Sequence, residues 1–127
     1  MEISEDVIKA STPLGAGLGF SKNMCGCLTG GALAIGLKYG RTDLTRSRRP
    51  SWNRAMRLVE RFKDRYRTTS CAEMTREFRD FSSPQRIARC MEIITFTTCE
   101  VAALLFGLNE SFDDPEKDSY FAKRESR

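Results

Sequence analysis

The sequence predicts an all-α protein, an irregular bundle of four to five helices with a Gly-rich loop before the second helix. Three observations predict it. Apolar residues recur at helical spacing in several segments. Capping and breaking residues bracket those segments: Gly40 after Tyr39, Ser70 with Glu73, and Ser83 before Pro84. No run alternates apolar and polar residues as a half-buried strand does.

The elements follow in order. Ser4 to Lys9 is a short helical candidate, ended by Pro13 and the glycines at 15, 17 and 19. Cys25 to Tyr39 is the second helix. In it, Gly26, Gly30 and Ala34 place small residues on one face, where another helix backbone is expected to approach closely. Residues 42–50 form a basic linker. A strong helix runs from about Ser51 to Arg67, with Ala55, Leu58, Val59, Phe62 and Tyr66 on one face and basic residues on the other. Ser70 and Glu73 make a capping box for a short helix from Cys71 to about Arg79. Ser83 and Pro84 fit N-cap and N1 of the last helix, which runs to about Leu108. From Ile93 on, that helix is apolar nearly all round, which predicts a central or subunit-buried position. Residues 1–108 thus form one domain, and the polar residues 109–127 read as a flexible tail.

The chain of 127 residues is enough for one domain. It contains no histidine, which removes a Ser-His-Asp triad, a His-ligated haem, a Cys2His2 finger and a histidine base. Five cysteines are too sparse for a disulfide scaffold and leave one unpaired. The opening Met1-Glu2-Ile3-Ser4-Glu5-Asp6 has neither the basic nor the apolar run of a leader. The most apolar stretch, about 15 residues from Ile93, falls short of the ~20 that a membrane span needs. A cytoplasmic protein with reduced cysteines is expected.

The cysteines carry the main chemical signal. Cys25-Gly26-Cys27-Leu28-Thr29-Gly30 sits where the Gly-rich loop enters a helix, and a helix N-terminus stabilises a thiolate. Cys71 opens another predicted helix and Cys90 lies two turns into the last. Cys-x-Cys is better suited to ligation than to a strained internal disulfide. Cys25, Cys27, Cys71 and Cys90 supply four sulfurs in number for a metal or an iron–sulfur cluster, but without zinc-ribbon spacing; no cofactor is expected. Cys99, with Phe96 and Ala103 at helical spacing, reads as a buried, inert thiol. It is half a turn away from Cys90 around the helix.

Cys25-Gly26-Cys27-Leu28-Thr29-Gly30, then Gly36-Leu37-Lys38-Tyr39-Gly40, with the preceding Gly15-Ala16-Gly17-Leu18-Gly19-Phe20 and the later single Cys71 and Cys90, resembles the C_GCAxxG_C_C family of redox-active proteins. The resemblance spans roughly residues 8–105 and implies cysteine redox chemistry. The sequence departs from the family at Cys27, where the motif has alanine. The resemblance also places the family's first cysteine ahead of Met1, on a preceding helix. The four-cysteine set is therefore incomplete, with Cys27 and Cys99 as the available substitutes.

The leading expectation is a small redox or electron-transfer accessory protein. Cys25 would be the reactive thiolate, with Cys71 or Cys90 as its resolving partner. The runner-up is a non-enzymatic helical interaction module. Third comes weak nucleic-acid binding through residues 41–67, a segment of net charge +7 that includes Trp52. The simpler reading of that segment is a solvated face paired with acidic residues. The Gly15-x-Gly17-x-Gly19 run lacks the preceding strand and the spacing of a dinucleotide loop. The many apolar faces of the last helix predict a homodimer. The competing expectation is that Met1–Thr12 folds back to cover them.

Overall fold

A computed structural model describes residues 2–107. The predicted tail 109–127 lies outside the described residues. Five right-handed α-helices are present among them: α1 (Glu5–Ser11), α2 (Gly26–Tyr39), α3 (Arg49–Tyr66), α4 (Cys71–Thr75) and α5 (Pro84–Phe106). No strand accompanies them, so the fold is the all-α irregular bundle that the sequence predicts. Among the described residues no helix is long and apolar enough to cross a membrane.

The helix starts obey local chemistry. The side chains of Ser4, Ser70 and Ser83 accept the N–H of Val7, Glu73 and Arg86. Each satisfies an amide that would otherwise lack a partner in the first turn. Pro50 and Pro84 occupy the first turns of α3 and α5, where no intrahelical N–H is needed.

Helices α2, α3 and α5 pack on one another around Leu28, Ile35, Leu58, Phe62, Ile93 and Leu104. Phe62 and Ile35 have no exposed surface. The close approach is made at Gly31. A Cβ there would lie 2.8 Å from Leu58 Cδ2 and 3.0 Å from Val101 Cγ2. At the far end, Lys38 Nζ and Tyr39 Oη both donate to the Leu105 carbonyl, at 2.6 and 3.3 Å. They satisfy an acceptor that the end of α5 leaves open.

Between α1 and α2 the backbone reverses its hand. After a 3-10 turn at Thr12–Leu14, five successive residues, Ala16 to Phe20, have φ between 52° and 72°. Glycine tolerates this region, but Ala16, Leu18 and Phe20 each hold it at a cost of roughly 1–2 kcal/mol. The turn is closed by Gly19 N–H donating to Pro13 O (2.8 Å), Lys22 N–H to Ala16 O (3.1 Å) and Asn23 N–H to Gly17 O (2.9 Å). Gly17 is obligatory, because a Cβ would stand 2.6 Å from the Asn23 nitrogen. The sequence placed a loop here; it did not show that three non-glycine residues would be left-handed.

Other expectations change. Helix α4 stops at Thr75, not near Arg79. Arg89 of α5 ends it, donating to the Met74 carbonyl and pairing with Glu77 at 2.6 Å. Within one chain the last helix is not buried all round from Ile93 on. Ile94 and Phe106 are exposed, as are Ile87 and Met91 before them, because only the stripe through Ile93, Thr97, Val101 and Leu104 meets the core. Cys99, expected inside, is exposed for the same reason: it lies two residues from both Thr97 and Val101, on the opposite face. Helix α1 buries none of its own residues.

The basic face of α3 is partly consumed. Arg54 is buried, its guanidinium 3.5 Å over the Tyr39 ring. Arg61 donates to Glu100 at 2.9 Å and Arg65 approaches Glu92 at 3.5 Å. Arg61 and Arg65 thus meet carboxylates of α5, while Arg54 stacks on an aromatic ring.

Candidate functional site: a four-cysteine cavity

Two short extended pieces bring the cysteines together. Met24 and Ser70 form an antiparallel bridge. On either side of it, Cys25 N–H donates to Thr69 O (2.8 Å), Cys71 N–H to Asn23 O (2.6 Å) and Ala72 N–H to Lys22 O (3.0 Å). This register makes Cys25 and Cys71 diagonal neighbours on one side of the pair. Such positions lie roughly 7–8 Å apart, just beyond the ~7 Å Cα limit for a disulfide. A small closing movement would join them. Cys25 then serves as N-cap of α2, and Cys71 is the first residue of α4.

Cys25, Cys27, Cys71 and Cys90 all line one cavity of about 590 Å³. It lies between α2 and α5, with the left-handed turn at its edge. Cys71 is buried, while Cys25, Cys27 and Cys90 are half-buried. Cys99 is outside it. Of the two substitutes named from the sequence, the cavity therefore contains Cys27 and not Cys99. Although four sulfurs share the cavity, among the described residues no three His, Cys, Asp or Glu side chains are arranged to hold a metal ion.

The surroundings differentiate the thiols. Cys25 is pulled down to about 7, chiefly by the Cys27 thiol, which donates to its sulfur; burial works against this. The Cys27 and Leu28 amides lie close enough to favour its charge too, without closing a side-chain cap. Cys27 is the counterpart: donating to Cys25 holds its own proton in place, and burial adds to the effect. Cys71 is pushed up, first by burial and then by the neighbouring Cys25 and Cys90. One thiol is thus poised to ionise near neutrality while two keep their protons.

Sequence reasoning cast Cys27 as a ligand or as a substitute for the missing family cysteine. Its hydrogen bond to Cys25 needs both sulfurs turned into one cavity, which the Cys-x-Cys spacing alone does not specify.

The cavity wall holds further groups that sequence reasoning missed. Arg86 donates to Cys90 Sγ at 3.7 Å and lies 4.0 Å over the Phe81 ring. Behind the wall residue Phe81, Lys22 sits over the Phe20 and Phe81 rings, which meet edge to face at 5.1 Å. Thr97 is 3% exposed, and its Oγ1 has no hydrogen-bond partner of ordinary geometry. Its nearness to Cys27 is the smallest influence on that thiol and opposes the rise.

The stripe of Gly26, Gly30 and Ala34 was expected to receive another helix. It lines the cavity instead. A Cβ at Gly26 would press on the Leu14 carbonyl at 2.7 Å, so this glycine admits the loop. A Cβ at Gly30 would meet nothing within 4 Å.

The family described as "Putative redox-active protein (C_GCAxxG_C_C)" matches residues 1–104. The chain belongs to this family. The match embraces the left-handed turn, all four cavity cysteines and nearly all of α5. A search of the curated proteins and a search of the solved structures each found no match.

Proposed function

We propose that this family member is a small cytoplasmic thiol-redox protein working by thiol–disulfide exchange. The carrying observation is the sharing of one cavity by four cysteines, with Cys25 among them drawn down to about 7. The Cys25 thiolate attacks one sulfur of a substrate disulfide, forming a mixed disulfide and expelling the other sulfur as thiolate. Cys71 then attacks Cys25 Sγ. Its proton passes to the second departing sulfur, and a Cys25–Cys71 disulfide remains. Two protein thiols are oxidised and the substrate disulfide is reduced to two thiols; the same steps run in reverse. Cys27 acts as hydrogen-bond donor to the Cys25 thiolate, and Cys90 is the alternative resolving thiol.

Alkylation of the reduced protein by iodoacetamide, followed residue by residue across pH, tests this reading. Cys25 should react with a midpoint near 7, and mild oxidation with diamide should give a Cys25–Cys71 peptide pair. A Cys25 midpoint at or above the ordinary ~8.5 sinks the reading.

The exposed apolar side of α5 supports a further element, self-association. Ile87, Met91, Ile94 and Phe106 expose from 43 to 59% of their surface on that helix. A two-fold dimer is the commonest way to bury such a patch.

A further inference from the structure

On α5 the residues Arg86, Cys90, Ile93, Thr97 and Val101 all line the cavity. At 1.5 Å per residue this stripe is about 22 Å long. The sulfurs therefore lie partway along an extended, mostly apolar trough, not in a compact bowl. Two of its polar features stand apart. Toward one end the Arg86 guanidinium reaches Cys90 and has no carboxylate partner among the described residues. Beyond the sulfurs, the Thr97 hydroxyl is buried beside the Cys27 thiol without a hydrogen bond of ordinary geometry, which is costly at such a place. Gly30 of α2 lines the same trough, and no packing contact requires its missing side chain. One residue further, Gly31 is accounted for by Leu58 and Val101, with the Thr97 methyl beside them at 3.9 Å. A helix glycine with open space before it weakens α2 and leaves room for something else.

We infer that the trough binds a small linear disulfide with aliphatic arms and a carboxylate end. The carboxylate pairs with Arg86, the S–S bond lies against Cys25, and the second arm passes Gly30 so that a carbonyl oxygen accepts from Thr97. A cavity of this volume is of the size that encloses a small molecule. Its apolar walls disfavour the charged peptide backbone of oxidised glutathione. The electron balance is that of thiol–disulfide exchange: the arms leave as two thiols as the Cys25–Cys71 bond forms. The inference rests on that reading for its chemistry, but the binding half stands apart from it.

The probes are 4,4′-dithiodibutyrate, its neutral dimethyl ester, oxidised glutathione and octanoate. Each disulfide's rate with the reduced protein is normalised to its rate with free 2-mercaptoethanol. Normalised dithiodibutyrate should exceed glutathione disulfide by about tenfold or more, one favourable charged contact's worth. Arg86→Gln should erase the preference for the acid over the ester. Gly30→Leu should abolish the advantage and octanoate binding alike while iodoacetamide still alkylates Cys25 with its midpoint near 7. Thr97→Val, nearly the same shape, serves as the second cavity variant and should weaken the ester more than octanoate. Octanoate has no sulfur, so its binding by calorimetry checks the trough independently of any cysteine chemistry. Equal normalised rates for all disulfides, or unchanged rates in Gly30→Leu, overturn the inference even if Cys25 titrates low. Octanoate binding with an ordinary Cys25 would instead retain the trough and discard the redox reading.

Discussion

The two sides of α2 solve opposite problems. Toward α3 and the later turns of α5 the helix is packed to contact, with Gly31 removing the one side chain that would collide with Leu58 and Val101. Toward α4 and the left-handed turn, the neighbouring Gly30 opens onto a cavity that holds four thiols and a buried hydroxyl without a partner. One residue separates a glycine demanded by packing from one that packing does not explain. The first side stabilises the bundle; the second side gives up helix propensity, left-handed strain and an unmade hydrogen bond, and concentrates all the unusual chemistry. Stability and reactivity are divided across a single helix.

That division can be broken at several points. The largest effect belongs to the packed side: Phe62→Ala should cost about 3–5 kcal/mol, read from urea unfolding, because its ring has no exposed surface. A loss under 1 kcal/mol would mean that the interior relaxes into the gap. Gly31→Val should cost about 1–3 kcal/mol by overpacking against Leu58 and Val101. The reactive side should answer in pH. Cys27→Ala removes the donor to Cys25, so the alkylation midpoint should climb from about 7 toward the ordinary ~8.5. Cys27→Ser, which can still donate, should hold it low; equal midpoints in both variants would transfer credit to the helix amides. Smallest is Gly30→Ala, expected to stabilise by about 0.5–1 kcal/mol, opposite in sign to its neighbour.

Stability against pH sharpens the same comparison. Cys25 is lowered from 9.0 to about 7, so between those values the unfolded chain binds its proton and the native protein does not. Stability should rise with pH across that window and lose this contribution as pH falls through 7. Cys27 is raised, so above 9 the unfolded chain releases a proton that the native state keeps, and stability should fall. A maximum near pH 9, flattened in Cys27→Ala, is expected by calorimetry. A mass by light scattering at micromolar concentration of twice 14.4 kDa would show that the exposed side of α5 is covered by a second copy; an unchanged 14.4 kDa on concentration would remove the dimer.

Much of the architecture was legible because local rules decided it. Ser70 and Ser83 cap where the sequence places them, and the spacing of Leu58 and Phe62 finds their buried face. What escaped was set by tertiary partners. Arg89 ends α4 early; Tyr39 receives the Arg54 guanidinium and takes it out of the basic face. Cys99 was misplaced because an apolar composition does not say which side of α5 meets the core. In the site, Cys25 was marked by its position at a helix start. The gathering of Cys71 beside it depends on one antiparallel bridge between Met24 and Ser70, too short to leave a pattern. Gly30 and Gly31 are indistinguishable as letters.

The paired donors at Leu105 have a mechanical consequence. Lys38 and Tyr39 fasten the end of α2 to the end of α5 through a single carbonyl. From that clasp to Gly26 the helix is a lever about 18 Å long. Gly31 and the Met24–Ser70 bridge hold the other end of that lever in place. With the helix secured at both ends, Cys25 keeps its level opposite Cys90, and a change in one thiol is met by fixed neighbours.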